Sequence, residues 1–246
     1  MANHGVFVSQ QATSVGTPVV AGSGIPFFIG LSPVQAAEAP AAAGTPVICT
    51  SWQEAVEKLG YSDNWKTYPL CEAMYSHFKL FGCQPAIFCN LLDLSDMKES
   101  VAAADVDMAD HKAKLPIEAI DDADLVVKAA GGSGNAYVKG NDYSTYYDGE
   151  HLVIEALSTG ACFDAEKVNV AYTKAIPASV TNAVVASGME SIELCLTLFG
   201  TVPDLICAPG FSQATTVAAV MATKAGGING MFKAKALIDI SSAADG

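Results

Sequence analysis

Asp204-Leu-Ile-Cys-Ala-Pro-Gly210, then Ser212 to Lys224, then Lys233-Ala-Lys-Ala-Leu-Ile-Asp-Ile240, is the stretch that decides the fold. It is a short apolar run, a helical stretch and a second apolar run. That order predicts one strand–helix–strand crossover of a parallel sheet. A parallel strand inside a sheet is covered on both faces and has neighbours on both sides, so earlier segments must supply them. Between the first strand and the helix lies Ala208-Pro-Gly-Phe-Ser212, at the carboxyl end of a strand, where α/β proteins bind ligands. Two readings of it stand. As a site, its amides hold an anion at the helix start. As scaffold, Pro209 and Gly210 make the turn and Ser212 caps the helix. The scaffold reading is the simpler one.

Upstream segments fit the same sheet. Ile25-Pro-Phe-Phe-Ile29, ended by Gly30, reads as a core strand, Pro33 to Gly44 as a loop, and Pro46-Val-Ile-Cys49 as a short strand. Ser51-Trp-Gln-Glu54 has capping-box spacing and opens a helix to Leu59, with Gly60 as its stop. A second helix is predicted from about Tyr68 to Phe81, with Leu70, Met74, His77, Phe78 and Phe81 on one face and Gly82 ending it. Pro85-Ala-Ile-Phe-Cys89 returns as a strand. Later, Met189 to Phe199 reads as a helix stopped by Gly200.

The texture changes between these parts. Residues 105–178 hold 13 acidic residues and 6 lysines, a net of −7. Leu125-Val-Val127, Tyr137-Val-Lys139, Tyr143–Tyr147, His151–Glu155 and Lys167–Tyr172 are short β-rich runs separated by turn residues, and Asp148-Gly149 is a strong hairpin signal. The expected fold is α/β: a mixed sheet core with crossover helices plus an inserted small all-β domain, sandwich or barrel-like. The expected division is an extended N-terminal arm at 1–24, a discontinuous α/β core at 25–104 and 179–246, and the β-rich insertion at 105–178. Its acidity reads as a solvated face.

Composition narrows the function. The formal net charge is −13, and all 13 basic residues are lysines. Without arginine forks and with an acidic balance, nucleic-acid binding is not expected. Charged residues make up only 16%, against ~25% in typical domains, so much of the surface is expected against partners. No apolar run reaches the roughly 18–20 residues of a membrane span. Met-Ala-Asn-His-Gly has neither the basic start nor the apolar core of a signal peptide, so the protein is expected to be made and folded in the cytoplasm. Cys49, Cys71, Cys83, Cys89, Cys162, Cys195 and Cys207 form no Cys-x-x-Cys and mostly sit in apolar runs. They read as reduced, buried thiols, and no zinc spacing is present.

Catalytic patterns are missing from the sequence. No His-x-x-x-His, His-Glu-x-x-His or Gly-x-Ser-x-Gly occurs. Gly22-Ser-Gly24 precedes a strand rather than a helix, so it fails as a dinucleotide loop. His77 reads as a core residue on an apolar helix face. Asp239 lies near a strand end, with no partner evident for chemistry. No catalytic residue, cofactor or metal is expected.

Taken together, the Gly5-Val6-Phe7-Val8 arm, the strand end at Gly30, the Phe78–Gly82 helix stop, Val202-Pro-Asp-Leu-Ile-Cys-Ala-Pro-Gly210 and the closing Ala218–Ile240 resemble contractile tail sheath proteins of phages and phage-derived particles. The order and spacing of the segments carry this resemblance over nearly the whole chain; Tyr137–Tyr143 is similar to a β hairpin insert of some members. It implies a non-enzymatic structural subunit that polymerises helically around a tail tube and contracts to drive that tube through an envelope. Implied partners are copies of itself, the tail tube protein, and the baseplate and tail terminator proteins. The implied place is the host cytoplasm, then the virion tail or a tail-like particle. In the family, terminal arms add strands to neighbouring sheets, and Gly5, Val6, Phe7 and Val8 match the N-terminal arm. Family members continue past the Ile238-Asp239 strand into a C-terminal domain, so the resemblance implies that this chain lacks it. The competing expectation is an α/β enzyme or small-ligand binder using Ala208–Ser212. A third makes the β insert a surface-adhesion module.

Overall fold

The structure, a computed structural model, describes residues 24–240. The arm expected at Gly5–Val8 lies outside them. Along the chain run β1 (Pro26–Gly30), β2 (Val47–Cys49), α1 (Trp52–Leu59), α2 (Pro69–Met74), β3 (Ala86–Asn90), β4 (Lys98–Ala109), β5 (Lys112–Pro116), β6 (Ala119–Ile120), β7 (Val126–Ala129), β8 (Tyr143–Tyr147), β9 (His151–Ala156), β10 (Lys167–Ala175), α3 (Asn182–Gly188), α4 (Leu194–Phe199), β11 (Leu205–Cys207), α5 (Thr215–Gly226) and β12 (Lys235–Leu237). The fold is mixed α/β with an inserted antiparallel sheet, as expected.

The core sheet has the order β12-β11-β1-β3-β2. Its first four strands are parallel and β2 pairs antiparallel to β3. The crossover read from Asp204 to Ile240 is present, and β1 is the earlier strand that flanks β11. Alternation sorts the side chains between two faces. Phe27 and Ile29 of β1, Ile87 and Cys89 of β3 and Ile206 of β11 pack with Val185, Met189, Ile192, Val217 and Met221 from the α3–α5 side. Ala86 and Phe88 face the other way, against Ala55, Leu59, Leu70 and Met74 from α1 and α2. Helices on both faces explain why every residue of β3 is buried.

The helix ends follow local chemistry. The Ser51 hydroxyl accepts from the Glu54 amide at 3.2 Å, while the Glu54 carboxylate accepts from the Thr50 amide at 2.8 Å. The box thus reaches one residue further back than its usual reciprocal bond. Gly60 stops α1 at φ +70. The second predicted helix is α2 followed by a π-helical turn, Tyr75–Leu80. The wider turn rotates its end out of the shared face, and Phe81, expected inward, is 71% exposed. His77 sits edge-on to Phe28 at 5.1 Å, and partial burial lowers its pKa.

The helix expected from Met189 begins earlier, at Asn182, because the Thr181 side chain caps it. The resulting helical stretch Asn182–Phe199 is long and apolar enough to cross a membrane by those measures, which the run-length reading did not anticipate. It packs Val185, Met189, Ile192 and Cys195 into the core instead. Its Glu190 and Glu193 both accept from Lys224 of α5, at 2.5 and 2.6 Å.

The insert is a seven-stranded antiparallel sheet that curls around Leu115, Val127, Tyr143, Leu152, Ile154, Val168 and Val170. β10 is its spine, pairing β4 along one side and β6 and β7 along the other. β8 and β9 form the hairpin expected at Asp148-Gly149, with Gly149 at φ +96. Between the sheet's outer strands, the Tyr147 hydroxyl donates to the Ala119 carbonyl at 2.8 Å and accepts from the Asp121 amide at 3.2 Å. Tyr137–Lys139 is loop rather than strand; the Val138 amide donates to the Asp142 carboxylate at 2.7 Å. The boundary expected at 104/105 falls inside β4. The sheet leaves the core where Lys98 pairs with Ala175.

Candidate functional site

The loop after β11 is built as a closed corner. Gly210 takes φ +76, which only glycine adopts at little cost. The amides of Phe211 and Ser212 both donate back to the Ala208 carbonyl, at 3.0 and 2.9 Å. Ser212 does not cap α5, which corrects the N-cap reading. The capping position is Ala214, with no side-chain bond, and α5 begins three residues beyond Ser212. The Ser212 side chain is fully buried and accepts from the Asp239 amide at 2.8 Å. The Asp239 carboxylate in turn accepts from the Gly210 amide at 3.2 Å. Asp239 therefore has a partner after all, and that partner is the loop itself. The pairing spans 27 residues, beyond the reach of any local motif.

This clamp uses the groups that an active site at Ala208–Ser212 would need. The amide of Gly210 and the hydroxyl of Ser212 are both engaged, and a side chain at position 210 would meet the Pro69 ring at 3.5 Å. Clefts of about 580 and 700 Å³ lie elsewhere, both where the core meets the insert. No group of three or more His, Cys, Asp or Glu that could hold a metal occurs among the described residues. Five cysteines are buried, Cys207 is half-buried and Cys83 is exposed. Burial pushes the thiols of Cys49, Cys71, Cys195 and Cys207 up to about 12 and that of Cys89 to about 11, so they are poor nucleophiles.

A matching clamp holds the opposite end of the strands. The Asp204 carboxylate accepts from the amides of Gly24 and Ile25, at 2.6 and 3.1 Å, and the Asp204 carbonyl accepts from the Lys235 amide at 2.8 Å. One aspartate at each end of β11 thus fastens the segments that enter and leave the sheet. Among the described residues β12 is the outermost strand, with one side of its backbone unpaired. Around it Met231, Phe232, Leu237, Ile238 and Ile240 are exposed, Ile240 by 87%. An open edge with exposed apolar side chains is a template for another chain. No local pattern marks which strand lies at the edge, because edge position depends on strand order.

The chain matches no protein-family model and no curated protein.

Proposed function

We propose that this chain is the structural subunit of a contractile tail sheath, polymerising helically around a tail tube and contracting to drive it through a target envelope. The reading assigns it no catalytic role. Its partners are further copies of itself, the tail tube protein and the proteins that cap the tail at the baseplate and terminator. It assembles in the host cytoplasm and then resides in the tail. The observation that supports it best is the β12 edge of the mixed core sheet, unpaired among the described residues and ringed by exposed apolar side chains. Such an edge suits repeated, non-closing contacts between identical subunits. The discontinuous core with a surface β insert also suits the resemblance in sequence. Electron microscopy of the native particle tests the proposal, with this chain labelled by antibody. Label repeating along a contractile tail is expected; purified contractile particles without it would overturn the reading.

A further inference from the structure

The two sides of the core sheet differ in chemistry. Beside β12, the turn Ile228–Phe232 presents Met231, 73% exposed, and is followed by exposed Lys233 and Lys235. Neither lysine joins an ion pair among the described residues, and the Asp204 carboxylate nearby is held by backbone amides. On the side where β2 is the outer strand, α1 and the chain at Ala36–Glu38 meet β8 of the insert around a cleft of about 700 Å³. Trp52, Val56 and Tyr146 give it apolar walls. Of its acids, Asp121 is neutralised by Lys139 at 2.6 Å, whereas the exposed Glu38 and Glu57 join no ion pair among the described residues. Its aromatic rings attract cations within the chain itself: the Lys79 ammonium lies 5.0 Å from the Trp52 ring centre, and that of Lys112 lies 5.7 Å from Tyr146.

Resting on the sheath reading, we propose that this acidic aromatic cleft receives the Met231–Lys235 segment of a second copy. Met231 fills the apolar part, and Lys233 and Lys235 meet Glu38 and Glu57. Because the two surfaces lie at opposite sides of the sheet, each subunit docks on the next without using up its own cleft. The contact is heterologous and propagates. Opposite charges steer the encounter and set its register, and their screening makes assembly salt-sensitive.

Two charge-reversed full-length chains test this. One carries Glu38→Lys with Glu57→Lys, and the other Lys233→Glu with Lys235→Glu. All four positions are exposed, so both chains are expected to fold, which circular dichroism checks. Assembly is read by light scattering and sedimentation velocity. Each variant alone should need about tenfold or more higher concentration to assemble than the unaltered chain. An equal mixture should recover, because each reversed surface then finds its complement on the other chain. Variants that assemble alone as the unaltered chain does would overturn the contact, and so would a mixture of folded variants that fails to recover. An unaltered chain that stays monomeric up to its solubility limit would overturn it too. The sheath reading stands or falls separately, on whether the chain is found along contractile tails.

Discussion

The backbone amide of Asp239 donates to the buried hydroxyl of Ser212 at 2.8 Å, fastening the chain beyond β12 to the loop that follows β11. A serine in this loop could equally have capped α5, and the difference is measurable. Ser212→Ala removes the side-chain acceptor of that amide and should cost about 1 kcal/mol in urea denaturation. Hydrogen exchange at Asp239 should quicken in the same variant. A helix cap would instead leave Asp239 unaffected and fray the first turn of α5.

Gly210 holds the corner at φ +76. Gly210→Val should destabilise by about 1–2 kcal/mol, because a β-branched side chain is strained in the left-handed region. The control is Gly226→Ala, whose added Cβ meets nothing within 4 Å. That change should be neutral or slightly stabilising. Equal effects of the two substitutions would remove the case for a strained corner.

Tyr147 ties the insert's outer strands through two hydrogen bonds from one hydroxyl. Tyr147→Phe keeps the ring but leaves the Ala119 carbonyl and the Asp121 amide without that partner. A loss of about 1–3 kcal/mol is expected, concentrated in the insert. Protease cleavage near β6 and β8 is a suitable readout, and unchanged resistance would contradict the bridging role.

The buried thiols predict an alkaline limit to stability. An ordinary thiol titrates near 9.0, whereas burial holds Cys89 to about 11 and Cys49, Cys71, Cys195 and Cys207 to about 12. Above the ordinary value the unfolded chain releases these protons while the native chain retains them. The native state therefore binds more protons, and stability falls with rising pH. Their contribution is complete below about pH 9 and is lost as pH climbs towards 12. Under reducing conditions the urea midpoint should drop between about pH 8 and pH 10.5. A chain with these five thiols replaced by alanine should show a shallower fall. A thiol reagent at neutral pH should reach exposed Cys83 first.

Removing the insert should leave a folded core only when the cut respects the paired strand ends. Lys98 pairs with Ala175, and the Ile176 amide donates to the Met97 carbonyl at 2.8 Å. Replacing residues 98–175 by a short glycine linker should preserve cooperative unfolding at reduced stability. The reduction follows from losing Ile117 and Ala175, which belong to the core cluster, and the Gln35 bond to the Ile117 carbonyl. Cutting at 106–176 instead strands the first half of β4 without β10. Non-cooperative unfolding of the 98–175 deletion would show that core and insert form one folding unit.

Much of the core was legible in the sequence because its strands are apolar runs bounded by Pro and Gly. Phe27–Ile29, Ile87–Cys89 and Leu205–Cys207 all announce themselves this way. β4 did not. Lys98–Ala109 is rich in Ala and Asp and largely exposed, so it lacks the alternation that marks a half-buried strand. It is extended because β10 pairs with it. The role of Ser212 was misplaced for a related reason: hydroxyl-then-helix is a local pattern, and a distant backbone amide claimed the oxygen first. The cleft of Trp52, Tyr146, Glu38 and Glu57 joins segments far apart in the chain, and no spacing rule brings such residues together.

The strand order also governs the sequence of events during synthesis. β1 lies between β3 and β11, and Phe27 aligns with Ile206. The central strand of the core thus waits for a partner from the far part of the chain. Meanwhile the insert's neighbouring strands can pair as they emerge, since β5, β8 and β9 lie close along the chain. Local pairing precedes distant pairing because shorter loops cost less entropy to close. The insert is then ready before the core sheet, whose outer strand β12 is made last among the described strands. A nascent chain therefore lacks the β12 edge of the finished core sheet until translation has passed Leu237, whereas the β2 edge is in place from early on.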